Sequence, residues 1–245
     1  MPRLPMLLAS SVCLLAFTCC SDDEHIVSPP PSSPETLSVS FQDGVLPDAS
    51  YGGTRDAMLK NGPSYQFRNG NFGAMPFDTL GSVLLGTALY ERRVIIKMDL
   101  SRITDCSRVL SASLSMRLIP PAPDSMLIEV NRVDLMNWQN WLEGAGGVFG
   151  GVSWTTLDGT APWVTEGGDL DPTALDQETV LSDSTVTFAL PPALVRNWIT
   201  NPATNHGVIV RGAQPAGGGS VIVFMRESDR VAWRPRIDVT YLAGG

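Results

Sequence analysis

Histidine is nearly absent from this chain of 245 residues: there are two, His25 and His206. A Ser-His-Asp triad or a histidine metal centre in the folded part would have to use His206. No Gly-x-Ser-x-Gly elbow accompanies it. Asn205-His206-Gly207 instead reads as a turn into the apolar run Val208-Ile209-Val210. Cysteine is scarce as well. Three of the four, Cys13, Cys19 and Cys20, fall in the first twenty residues, and Cys106 stands alone beyond them. With that leader removed no disulfide can form inside the folded part, and a lone cysteine beside a strand behaves as a small hydrophobe. Two of the 17 basic residues are lysines, Lys60 and Lys97, and the other 15 are arginines. The formal net charge is -8. Nucleic acid is therefore an unsuitable partner, because a phosphate backbone demands a basic surface. A local arginine cluster can still meet an anionic polysaccharide against this background. No long amphipathic helix is present.

The only long hydrophobic run is Leu4 to Phe17, which has the length of a signal-sequence core and is too short to span a bilayer comfortably. Residues 1–20 are read as a signal peptide of lipoprotein type, with Cys20 as the lipidated residue ahead of the polar Ser21-Asp22-Asp23-Glu24. Residues 21–40, with Ser28-Pro29-Pro30-Pro31-Ser32-Ser33-Pro34, read as an extended Pro/Ser-rich tether. Residues 41–245 remain for one all-β domain. The implied location is the cell envelope, held to a membrane by lipid, or the secreted fraction.

Within that domain the hydrophobic pattern has period two. Val94, Ile96 and Met98 share one face of a strand, and Arg93, Ile95, Lys97 and Asp99 share the other. The same reading places strands at 94–99, 109–119, 127–134, 185–190, 207–211, 221–226 and 235–241. Pro191 to Ile199 reads as one short helix, with proline at its start and Asn201-Pro202 at its end. The expected fold is all-β: a jelly-roll-like antiparallel β-sandwich with one short helix.

Several phrases stand in a recognisable order. They are Asp56-Ala57-Met58-Leu59, Asn71-Phe72-Gly73 with Ser82 to Gly86, Arg93 to Ser101, and Val133 to Trp138. Trp154 and Trp163 through Asp171, Asn197-Trp198 with Asn205 to Val208, Phe224 to Ser228, and Pro235 to Tyr241 follow. In this order the chain resembles the secreted bacterial and archaeal DNRLRE domain, which is related to disaggregatase and to carbohydrate-binding module family 96. The resemblance covers roughly residues 54–242, and Met225 stands where the family has serine. It implies a jelly-roll-like sandwich in an extracellular protein and leaves the ligand open.

Tryptophan carries the expectation of binding. Trp138, Trp141, Trp154 and Trp163 fall in a section rich in Gly, Thr and Asn. Sugars stack CH faces on indole rings while amides satisfy their hydroxyls. Trp141, beside Asn137, Gln139 and Asn140, is expected to be exposed and to form the platform, with Trp138, Asn140 and Trp163 around it. Trp154 is expected in the core. Asp169 and Asp171, flanking Leu170, could offer oxygens to a structural calcium, with Asp158, Asp176 and Glu178 nearby; a solvated acidic loop is the plainer alternative. Arg226-Glu227 and Arg211 are expected in buried, register-setting ion pairs. Gly144 to Gly151 reads as a flexible loop and not a phosphate cradle, since no Lys-Ser/Thr follows. The expected function is a non-catalytic module binding polysaccharide, with a structural or adhesive surface lipoprotein, its partner a protein or matrix, as the alternative.

Overall fold

A computed structural model describes residues 34–119, 126–136, 139–180, 184–213 and 219–244. The signal sequence, Cys20, residues 28–33 of the Pro/Ser run and Trp138 lie outside them. The strands are β1 (Thr36–Gln42), β2 (Thr54–Lys60), β3 (Gly70–Asn71), β4 (Phe77–Leu85), β5 (Ala88–Met98), β6 (Arg108–Ile119) and β7 (Met126–Val133). They continue with β8 (Gly147–Val148), β9 (Leu170–Val180), β10 (Ser184–Leu190), β11 (Val208–Gly212), β12 (Ser220–Phe224) and β13 (Arg236–Leu242). Helix α1 (Tyr65–Asn69) is one turn long, and α2 (Pro192–Thr200) is the helix expected after Pro191.

All pairings are antiparallel. One layer runs β1-β13-β6-β10. The other runs β2-β5-β11-β7-β9. β12 and β4 join them at a corner, since β12 pairs the end of β6 while β4 pairs the start of β5. Met58, Val94, Ile96, Val130, Val208 and Val210 of the second layer meet Leu114, Met116, Phe188, Ile237 and Val239 of the first in the main core. This is the two-sheet sandwich that alternating patterns produce.

The second layer is covered on its outer face too. Ala57, Leu59, Ile95, Val133 and Ile209 point outward, into a second core with Trp141, Val152, Trp154, Leu157 and Trp163. All of the latter lie on the excursion between β7 and β9. The runs Val94-Ile95-Ile96 and Val208-Ile209-Val210 are therefore apolar on both faces because both faces are buried. Asn71 stitches the excursion down: its Nδ2 donates to Glu143 O (2.5 Å) and Val152 O (2.9 Å), and its Oδ1 accepts from Gly146 N (2.8 Å).

Two boundaries differ from the sequence reading. The tether does not reach residue 40, because β1 starts at Thr36 and pairs along its whole length with β13, from Thr36↔Leu242 to Gln42↔Arg236. Leu37, Val39 and Phe41 alternate there, and Phe41 is fully buried. The segment read as an acidic loop is the edge strand β9, paired to β7 with two register irregularities near Asn131. Edge strands tolerate the charge and the proline, Pro172, that hid it.

Candidate functional site

β5 carries Arg93, Ile95 and Lys97 on its outer face, and each meets the tryptophan-bearing excursion. The Arg93 guanidinium lies 5.0 Å from the Trp154 ring centre, and Lys97 Nζ lies 4.9 Å from that of Trp141. Ile95 is buried between them in the outer core. Arg93 also donates to Gly167 O (2.8 Å) and pairs with Glu91.

Trp141 is not an exposed platform. It is 3 % exposed, and its Nε1 donates to His206 O at 2.9 Å. Trp163 is equally buried, and its Nε1 donates to Ser153 O (2.9 Å). Indoles with apolar bodies and one satisfied N–H are what a loop needs to seal a sheet face. Trp154, expected in the core, is there. Of the four residues assigned to sugar binding, Asn140 alone is exposed among those described.

Asn140 opens onto a cleft of about 520 Å³ at the end of β5. Arg55 of β2, Lys97 and Asp99, Gln139 and Asn140 of the excursion, and Asn205 and His206 before β11 supply its polar lining; Trp198 of α2 closes one wall. Lys97 Nζ donates to Asn140 Oδ1 (2.5 Å). Burial and the nearby Arg55 charge bring its ammonium down to about 8, with Glu143 opposing. His206 is held below its ordinary value by burial, then by the charges of Lys97 and Arg132, so its ring is neutral at pH 7. Its Nε2 and Asn205 Oδ1 are buried and meet no hydrogen-bond partner among the described residues. Gly207 fixes this corner: its φ is +80°, and a Cβ there would sit 2.1 Å from Ile96 O. Beyond Gln139 the surface continues into a second hollow of about 400 Å³, lined by Arg93, Asp134, Met136, Asp169 and Arg211 among others.

The sequence reading missed Arg55, Lys97, Asn205 and His206 as a group. The available signal was a lysine on the outer face of β5 in a chain with only two lysines, together with a lone histidine.

Asp169 and Asp171 serve their own turns. Asp169 accepts from Val164 N (3.0 Å) and Thr165 N (2.6 Å). Asp171 accepts from Thr173 N (2.9 Å) and faces Arg132 at 3.5 Å. Neither belongs to a group of three potential metal ligands among the described residues. Such a group exists elsewhere, where the carboxylate oxygens of Asp56, Glu143 and Glu227 lie within 4.8 Å of one another. Arg226 occupies it, with its Nε 3.0 Å from Glu143 and its backbone N–H donating to Asp56 (2.8 Å). Glu143 also accepts the backbone N–H of Asp56 (2.9 Å), capping the free edge of β2. Burial, then the Glu227 charge, lifts Asp56 well above the usual carboxylate range. Burial also raises Glu143 and Glu227. Arg226 does pair with Glu227, partly rather than fully buried, and Arg211 pairs with Glu129 at 2.7 Å.

No protein-family model matches the chain, and no curated protein matches it significantly.

Proposed function

We propose that this protein is a non-catalytic module of the cell envelope or the secreted fraction that binds carbohydrate in the cleft at the end of β5. The observation that carries this reading is the cleft's lining. Two cations, three amides and a neutral imidazole face one hollow, and two of their polar atoms are buried without a partner among the described residues. Such a surface offers hydrogen bonds to hydroxyls and charge to an acidic group. Arg55 and Lys97 favour sugars bearing carboxylate, and Asp99 is the only carboxylate in the lining among the described residues. The continuation past Gln139 leaves room for more than one ring of a polymer. The resemblance to the DNRLRE family supports an extracellular setting, with Cys20 as the lipid attachment point.

The whole chain should be retarded in affinity electrophoresis through polygalacturonate and not through its fully methyl-esterified form. Lys97→Met should abolish the retardation. In the wild type it should weaken between about pH 7 and pH 9, because Lys97 loses its charge through that range while arginine keeps its own. Retention by no polysaccharide, acidic or neutral, would transfer the protein to the adhesive or structural class.

A further inference from the structure

The outer face of the first layer holds a further polar hollow. Arg117 and Ser115 of β6, Thr185 of β10, Arg236 of β13 and Gln42 of β1 line about 280 Å³ together with Ala232, Trp233 and Arg234 before β13. The lining holds three guanidinium groups and no carboxylate among the described residues. Trp233 holds one of them, Arg117, together with Arg230, which lies outside the lining. The Arg117 and Arg230 guanidinium carbons lie 5.0 and 4.2 Å from its ring centre, and Phe224 meets it edge-on at 4.6 Å. A ring held between guanidinium groups is a post that stiffens them, not a stacking surface for sugar.

Arg234 is fixed by two neutral acceptors, Ser228 O (2.8 Å) and Asp43 O (2.9 Å), and makes no ion pair among the described residues. Its charge is therefore held in place without being cancelled. Arg236 is exposed, with Asp238 at 3.0 Å. Arg234 from the turn before β13 and Arg236 from β13 bring donors to one hollow from different directions. That arrangement suits a tetrahedral oxyanion better than a flat carboxylate, which is satisfied by a single fork. We propose that this hollow is a second binding site, on the layer opposite the cleft, for an oxyanion of the phosphate or sulfate class.

The test is a titration of the whole chain, at fixed ionic strength, with inorganic phosphate and with a hexose monophosphate. Chloride is the control, and the readouts are the Trp233 indole N–H and Arg236 Nε–H resonances. Saturable shifts are expected with both phosphates and none with chloride. A tighter fit of the hexose ester identifies a sugar-borne phosphate as the natural source, and equal affinities identify the free ion. Arg236→Gln, at an exposed position, should weaken either ligand about tenfold, the effect of losing one charge-assisted hydrogen bond. Lys97→Gln should leave this titration unchanged, so failure here does not touch the cleft, and failure of the cleft does not touch this site. Shifts that never saturate, or a titration indifferent to Arg236→Gln, overturn the proposal.

Discussion

Lys97 sits where three influences meet: partial burial, the Trp141 ring and the neighbouring Arg55 charge. The ring beneath it does two jobs. It fills the outer core and holds the strand-entry turn through His206 O. Trp141→Ala should therefore cost about 3–5 kcal/mol in urea unfolding, as a buried aromatic truncation does. A folded, equally stable Trp141→Ala protein would contradict the second core. From the sequence, Trp141 looked free because it stood outside the family-like phrases among amides. Those amides do reach the surface: Asn140 and Gln139 line the cleft while the ring between Asn140 and Leu142 turns inward. Local composition recorded the polarity of the segment correctly and could not say which side of it faced the sheet.

At the level of elements, most strands of the sandwich were legible, β10 at the edge of the first layer among them, and the edge strands β1 and β9 were not. β5, β6, β7, β10, β11, β12 and β13 all carry the alternation or apolar runs that the sequence reading used. β9 does not, because an edge strand has one half-solvated side and needs no apolar repeat. Its entry is held by Asp169, whose carboxylate takes two backbone N–H groups of the 164–169 turn. Asp169→Ala should lower stability by roughly 1–2 kcal/mol, the cost of leaving such donors without their acceptor. The loss should be the same in calcium and in chelator, measured by thermal unfolding. A calcium-dependent loss would return Asp169 to the role of metal ligand.

Across the whole molecule, the edge of β2 gathers charge from distant parts of the chain. Asp43, Asp56, Glu143 and Glu227 meet Arg226 and Arg55 there. Four carboxyl groups face two guanidinium groups, and Asp56 Oδ1 and Glu227 Oε2 are buried without a donor among the described residues. A proton retained on Asp56 relieves both. Its folded-state affinity for that proton exceeds the unfolded one, so its contribution to stability is full below the ordinary carboxylate range. That contribution is lost as pH rises through the range towards the raised folded value. Asp56→Asn keeps an acceptor for the Arg226 N–H and supplies the missing donor permanently. It should stabilise the protein by about 1–3 kcal/mol near pH 8, and the advantage should shrink as pH falls towards about 4. Urea unfolding at both pH values checks this; an Asn variant that is weaker at pH 8 refutes it.

The sequence by itself determined the class and polarity of this protein. Period-two alternation specifies strands with one buried side, proline at Pro191 and Pro192 starts the one substantial helix, and scarce histidine and cysteine narrow the chemistry. Each of these depends on neighbours along the chain. Tertiary structure alone decided which tryptophans are sealed inside, that Lys97 shares a cleft with Arg55, Asn205 and His206, and that Asp56 lies against Arg226. Those contacts join residues up to 170 positions apart. They follow from which face of a sheet a long connection covers, and the free energy of that choice resides in the assembled sheet and in no single stretch of sequence.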